Sequence, residues 1–218
     1  MKNYPMMMKL TGQRLVVIGG GRVAERKIRG FVNTGAEITV ISPECTDSIK
    51  SWAALGKLKY IAREFQEEDL HGASFIIAAT NDPEVNVQIY QAKRAYQWIN
   101  VVDRPDLCTF TVPSLVTRGD LQIAISTGGK SPGLSRKMRK QMESWIGQEY
   151  GEYLEFLGQQ RKEILGLDLL PDVKRSLLTA MLDDRFLQWT KEGNLETRSK
   201  EAARLMSQAI QTSRGSLQ

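Results

Sequence analysis

One aspartate, two glycine-rich loops and a run of basic side chains are the parts of this chain with the means to do chemistry. The first loop, Gly19-Gly20-Gly21-Arg22-Val23-Ala24, follows the apolar run Leu15 to Ile18 and opens a segment with helical spacing. Gly19, Gly21 and Ala24 stand at the spacing of the dinucleotide fingerprint: a tight turn, a backbone that a pyrophosphate can approach, and a small residue where helix meets strand. A helix starting there adds free N–H groups and a partial positive charge. A plain strand–helix turn uses the same glycines. The strand before the loop and the helix after it favour the nucleotide reading.

Asp103 ends another apolar run, Trp98 to Val102. A carboxylate in that place suits a general base or an orienting group, and a base works best with its pKa near the working pH. The other reading is a cap for the Arg104-Pro105 turn. The second loop, Ser126-Thr127-Gly128-Gly129-Lys130-Ser131-Pro132-Gly133, either cradles an anion through its backbone or simply joins a strand to a helix. Lys130, Arg136, Lys137, Arg139 and Lys140 follow with no acid between Lys130 and Gln141. They would attract and bind acid groups, or form a solvated basic face.

These residues need a scaffold, and the pattern supplies one. Strand-like runs at 15–18, 37–41, 57–62, 74–80 and 98–102 alternate with helical segments at 22–34 and 47–55 and with one opening at Asn81-Asp82-Pro83. Ser74 to Thr80 is almost wholly apolar, as in a parallel strand buried on both faces. The alternation predicts a doubly wound α/β sheet, which binds ligands at the carboxyl ends of its strands. That rule brings Gly19–Val23, Ser42–Glu44, Thr80–Asp82 and Asp103–Asp106 to one rim. Thr109–Thr117 and Asp120–Ser126 read as strands that extend the sheet or form a separate hairpin. Ser131 and Pro132 then start a helix with Leu134, Met138, Met142, Trp145 and Ile146 on one face. Beyond Gly147 the spacing predicts three amphipathic helices, around 150–157, 177–186 and 205–210.

Bulk properties fit a globular protein: 218 residues, 41% apolar and 25% charged, with a net charge of +5. The charge is modest and no basic stripe is interleaved with aromatics, so a nucleic-acid partner is not expected. No run reaches membrane-spanning length, and Met6-Met7-Met8 is too short for a signal-peptide core. Cys45 and Cys108 lie far apart without a paired motif, and His71 stands alone in a turn. No metal site is expected, and the cysteine usage suits the cytoplasm.

Five separated segments together resemble precorrin-2 dehydrogenase, the dehydrogenase module of siroheme synthases. They are Val-Ile-Gly-Gly-Gly-Arg-Val-Ala-Glu-Arg-Lys at 17–27, Ala-Ala-Thr-Asn-Asp at 78–82, Asn-Val-Val-Asp at 100–103, Thr-Phe-Thr-Val-Pro-Ser at 109–114 and Ile-Ser-Thr-Gly-Gly-Lys-Ser-Pro at 125–132. The match spans roughly residues 5 to 150. The resemblance implies NAD-dependent oxidation of precorrin-2 to sirohydrochlorin. It also implies an NAD-binding Rossmann domain (1–113), a dimerisation and substrate-cleft segment (114–147) and a helical C-terminal domain (148–218), working as a homodimer. It assigns a catalytic part to Asp103, and it places Arg22 and Val23 beside the pyrophosphate, with Pro43 and Glu44 after the second strand. It gives the loop with Ser126, Thr127, Gly128 and Lys130 a place in the substrate cleft or the dimer contact, and its polycarboxylate substrate gives Lys130 and Arg136 acid groups to bind. Thr80 stays a cofactor-rim candidate by the sheet rule.

One departure from the general Rossmann rule stands out. The acidic residue expected at the tip of the second strand, about 20 residues past the glycines, is replaced by Ile41 and Ser42. The Ser42 hydroxyl or Glu44 is left to bind the adenosine ribose. No Arg or Lys is nearby for a 2′-phosphate, which favours NAD over NADP. Two rivals stay open: a bifunctional enzyme that also inserts iron, and a nucleotide-sensing module without chemistry.

Overall fold

The computed structural model describes residues 3–215. Two compact units form, one running to Val112 and the other from Pro113. The first is built on a five-stranded parallel sheet in the order β3-β2-β1-β4-β5. Its strands are β1 (Arg14–Ile18), β2 (Glu37–Ile41), β3 (Lys59–Ile61), β4 (Phe75–Ala78) and β5 (Trp98–Val101). Val16 pairs with Thr39 on one side and with Ile76 on the other, so β1 and β4 are central. Every residue of β4 is buried, as its unbroken apolar run predicts for a strand covered on both faces.

Alternate residues of each strand feed opposite layers. Leu15, Val17, Val40 and Ile77 pack with Ala24 and Ile28 of α1 (Arg22–Ile28) and Ile49 of α2 (Asp47–Ala54). Val16, Ile18, Ile41, Ile76 and Ile99 pack on the other face with Ile89 of α3 (Pro83–Ala92). The chain goes from β1 to β2 in one direction and later to β4 in the other. The order therefore reverses between β1 and β4, where a doubly wound sheet opens a ligand crevice.

Several elements differ in extent from their sequence pattern. The helical spacing through Thr34 is regular α-helix only to Ile28. After that the bonding is mixed: Gly30 N–H on Lys27 O and Phe31 N–H on Ile28 O are i→i−3, while Val32 N–H keeps an i→i−4 bond to Ile28 O. Gly30, Asn33 and Thr34 are poor helix formers, while Phe31 still reaches the core because a tighter helix keeps nearly the same face. The strand expected at 109–117 is also divided. Thr109 N–H bonds Ile99 O at 2.9 Å and the Thr109 hydroxyl accepts the Ile99 N–H at 2.8 Å, so this stretch seals the outer edge of β5.

The second unit opens with a separate antiparallel hairpin, β6 (Ser114–Arg118) and β7 (Leu121–Ile125). The helix α4 (Pro132–Trp145) follows, capped by the Ser131 hydroxyl, which accepts the Leu134 N–H at 3.2 Å. Arg118 donates to the carbonyls of Ile146 (2.8 Å) and Glu143 (3.0 Å), tying the hairpin to the end of α4. The expected apolar face of α4 splits. Ser135 and Ile146 are buried and Met142 is half-buried, whereas Leu134, Met138 and Trp145 are exposed.

Four further helices complete this unit: α5 (Glu149–Gly166), α6 (Pro171–Ala180), α7 (Asp184–Lys191) and α8 (Leu195–Gly215). They close on Phe156, Ile164, Leu177, Met181, Phe186 and Ala202. The middle helix of the three expected is in fact α6 and α7. Asp183 breaks it by capping the Arg185 N–H at 3.0 Å, a local bond that competes with helix continuation.

Candidate functional site

The three glycines after β1 are glycine for different physical reasons. Gly19 has φ of +109°, and a Cβ there would lie 2.3 Å from Ala79 O; at Gly20 it would lie 2.2 Å from Glu44 O. Both glycines are required by the protein's own backbone. Gly21 is not: its φ is −77° and a Cβ would meet nothing within 4 Å. Open space at Gly21 is what a phosphate-approach glycine should show. Among the described residues no side chain caps α1, so the first-turn amides of Arg22, Val23 and Ala24 are left for solvent or a ligand. Ala24 is buried where helix meets sheet, and Arg22 is exposed. The residues present fit a dinucleotide pyrophosphate.

The tip of β2 lies across from this turn. Gly19 N–H bonds Ile41 O at 2.9 Å, and Thr46 N–H bonds Gly20 O at 3.0 Å. The Tyr60 hydroxyl holds the tip, 2.9 Å from Ser42 O and 3.2 Å from Pro43 O. Burial pushes the Tyr60 phenol above its usual range, and its hydrogen bond to Cys45 adds to that. Pro43 and Glu44 are exposed and Ser42 is half-buried. At the tip of β4 the Thr80 hydroxyl lies 2.9 Å from Asn86 Oδ1 and 2.8 Å from Asp82 O. That hydroxyl is committed to shaping the start of α3, whose cap is the Asp82 carboxylate on Glu84 N–H at 2.8 Å.

Asp103 follows β5 with φ of +59°, the left-handed region, and no other non-glycine residue among those described has a positive φ. Such backbone costs of order 1–3 kcal/mol and clusters at active sites, although aspartate tolerates it better than most residues. Its exposed carboxylate makes no hydrogen bond or ion pair among the described residues, and neighbouring Arg104 pairs with Asp106 instead at 2.6 Å. The helical turn that follows has no side-chain cap. The carboxylate is therefore not spent on the turn.

Beneath Asp103 lies a cluster that the sequence did not flag. The Lys27 ammonium donates to Asn100 Oδ1 at 2.6 Å, and Asn100 Nδ2 donates to Phe110 O at 2.9 Å. The Cys108 sulfur accepts the Val101 N–H at 3.2 Å and lies 3.3 Å from the carbonyl oxygens of Val101 and Arg104. Burial pushes Lys27 below the usual lysine range, against the opposing influence of Cys108 and Asp103. Burial likewise pushes the Cys108 thiol up. A lysine in an Arg-Lys pair late in a short helix reads as a solvent-facing charge, so only the folded chain reveals this role.

The second glycine loop is set by internal bonds. Thr127 donates to Ser131 O at 3.0 Å and contacts the Ser135 hydroxyl at 3.1 Å, and the Ser126 hydroxyl accepts the Gly128 N–H at 3.2 Å. Gly128 and Gly129 have φ of +61° and +81°. Arg139 pairs with Glu143, but Lys130, Arg136, Lys137 and Lys140 have no carboxylate partner among the described residues. Arg136, Lys137 and Lys140 line an open groove of about 520 Å³ along α4. No three potential metal ligands gather among the described residues.

Sheet order, glycine turn and uncapped helix together define a Rossmann-type nucleotide-binding domain. Residues 6–114 match the NAD(P)-binding family model and residues 118–144 match that of the sirohaem biosynthesis protein central region. The precorrin-2 dehydrogenase of Priestia megaterium is 36% identical over 183 residues, which cover 84% of this chain and 91% of that protein. The siroheme synthase of Methylobacillus flagellatus is 39% identical over 75% of this chain; the chain spans only 35% of that protein. The solved structure of SirC, a precorrin-2 dehydrogenase, superposes with a TM-score of 0.76 at 32% identity, covering 96% of this chain and 100% of that one. The chain belongs to the precorrin-2 dehydrogenase family, and its first unit is a nicotinamide-dinucleotide-binding domain.

Proposed function

We propose that this chain oxidises precorrin-2 to sirohydrochlorin with NAD as hydride acceptor, the dehydrogenase step of siroheme formation. The observation that carries this reading is the nearly end-to-end match to a precorrin-2 dehydrogenase, in sequence and in fold. The oxidation removes a hydride and a proton from the reduced macrocycle, and the nicotinamide supplies the hydride acceptor when bound. Asp103 is the group we assign to the proton or to orienting the pyrrole nitrogens. Its carboxylate is exposed, unpaired among the described residues and held in a strained backbone, as befits a base kept free for substrate.

Gly19, Gly21, Arg22, Val23 and Ala24 form the pyrophosphate seat, and Ser42, Pro43 and Glu44 take the adenosine side. We favour NAD because Ser42–Glu44 offers a hydroxyl and a carboxylate but no cation for a 2′-phosphate. Thr80 supports the rim through Asn86. Lys130 and Arg136 attract the carboxylates of the substrate, and Ser126, Thr127 and Gly128 present the loop that carries Lys130. The exposed stripe of Leu134, Met138 and Trp145 on α4 is our candidate for the homodimer contact, within the segment 114–147. We assign 148–218 to a helical C-terminal domain, supported by the core that α5 to α8 close around Phe156, Ile164 and Phe186. We place the protein in the cytoplasm, where Cys45 and Cys108 remain the free thiols seen here.

Anaerobic incubation with precorrin-2 and either NAD or NADP tests the reading. Sirohydrochlorin and NADH forming together, faster with NAD, support it; no oxidation with either cofactor refutes it. A parallel incubation of sirohydrochlorin with Co²⁺, without NAD, asks whether metal insertion belongs to this chain as well. Insertion above the spontaneous rate would make the enzyme bifunctional.

A further inference from the structure

We propose that Lys27 is a positioning residue for Asp103, holding the 101–110 loop against α1 through Asn100. This rests on the dehydrogenase reading only for its kinetic consequence; the tether itself is a property of the folded chain. Lys27 and Asn100 are 73 positions apart in sequence, yet their side chains meet at 2.6 Å. The other end of the Asn100 carboxamide grips Phe110 O, with Cys108 Sγ at 3.6 Å. Cys108 in turn takes the Val101 N–H and sits against Val101 O and Arg104 O. The loop is thus gripped at both ends, and Asp103 occupies its left-handed position between them.

The charge balance points the same way. Lys27 is half-buried and has no carboxylate within ion-pair distance among the described residues; its hydrogen-bond acceptor is a neutral amide. Holding a half-buried ammonium on a neutral partner is costly, and the negative charge set against that cost is the more distant Asp103. A lysine needed only for packing could be replaced by methionine at this site. Because Lys27 belongs to α1, whose first turn faces the nucleotide, the tether also couples the cofactor seat to the carboxylate. A slack loop would let the two drift apart, and errors of about 1 Å in such geometry cost up to about 100-fold in rate.

The test uses full-length Lys27→Met and Lys27→Arg, with Lys27→Gln as a substitute should the methionine variant not fold. Without any substrate, maleimide labelling is followed by peptide mapping, with Cys45 as the internal reference. Lys27→Met should label Cys108 at least about 10-fold faster than wild type, with Cys45 unchanged, because local opening exposes the sulfur. With precorrin-2 and NAD, kcat should fall about 10- to 100-fold while KM for NAD stays within roughly twofold. Lys27→Arg, which keeps a charged donor, should recover most of both. Unchanged Cys108 labelling, unchanged kcat, or a loss expressed wholly in KM for NAD would each overturn the proposal. Should wild type itself fail to oxidise precorrin-2, the dehydrogenase reading falls, while the labelling result still decides whether the tether exists.

Discussion

At the scale of single residues, the three adjacent glycines separate what the fold needs from what the ligand needs. Gly20→Ala forces a Cβ against Glu44 O, so it should destabilise the protein by about 1–3 kcal/mol, measured by denaturant unfolding. Gly21→Val meets no such wall. It should fold with nearly native stability and bind NAD at least about 10-fold more weakly by calorimetric titration, because the side chain would fill the space we assign to the pyrophosphate. Tight NAD binding by Gly21→Val would show that the dinucleotide lies elsewhere. Asp103 presents the reverse case for sequence reading. Its place at the end of a strand was legible, but its left-handed backbone was not, since aspartate enters that region without any local signature.

Among the elements, order and type were legible because the β-branched and apolar runs of the sheet are short, clean and separated by turn residues. Boundaries were harder to read. Helical spacing continued past Ile28 while the backbone tightened, and one amphipathic pattern from Leu177 to Phe186 concealed the Asp183 cap between α6 and α7. The Lys27 tether was hidden for another reason: it joins an α1 side chain to β5, and no periodicity reports a contact across 73 positions.

The segment between β3 and β4 shows how an element is held by charge. Buried Asp69 accepts from Arg63 at 2.8 and 2.5 Å and from Gln66 N–H at 2.9 Å. Burial opposes ionisation, but these bonds and the charges of Arg63 and Arg14 outweigh it and hold the carboxyl below the usual aspartate value. The folded state then binds this proton less readily than the unfolded one. The stabilisation is complete above the ordinary carboxyl pKa of about 3.9 and is lost as pH falls through the lower folded value. Asp69→Ala should cost roughly 1–3 kcal/mol at neutral pH, and thermal melts of variant and wild type should begin to converge only below about pH 4, as pH approaches the lowered folded value. A gap that is constant with pH would assign the effect to packing instead.

For the whole molecule, the exposed stripe on α4 is the feature that a single chain leaves unexplained. Leu134, Met138 and Trp145 repeat at helical spacing, yet each is at least 39% exposed. Leu134→Glu combined with Met138→Glu should convert a dimer to a monomer in sedimentation experiments while NAD binding by the first unit persists. A wild-type monomer, or a double variant that stays dimeric, would remove α4 from the interface. The claim on which the account turns is that a nucleotide at the β1–α1 turn and the carboxylate of Asp103 act together on the macrocycle. The most direct measurement is anaerobic turnover of precorrin-2 with NAD by wild type and by Asp103→Ala, with NAD affinity determined on the same samples. The account predicts coupled NADH and sirohydrochlorin formation by wild type, and unchanged NAD affinity with a rate lower by about 100-fold or more in the variant. Near-normal turnover by Asp103→Ala would contradict it.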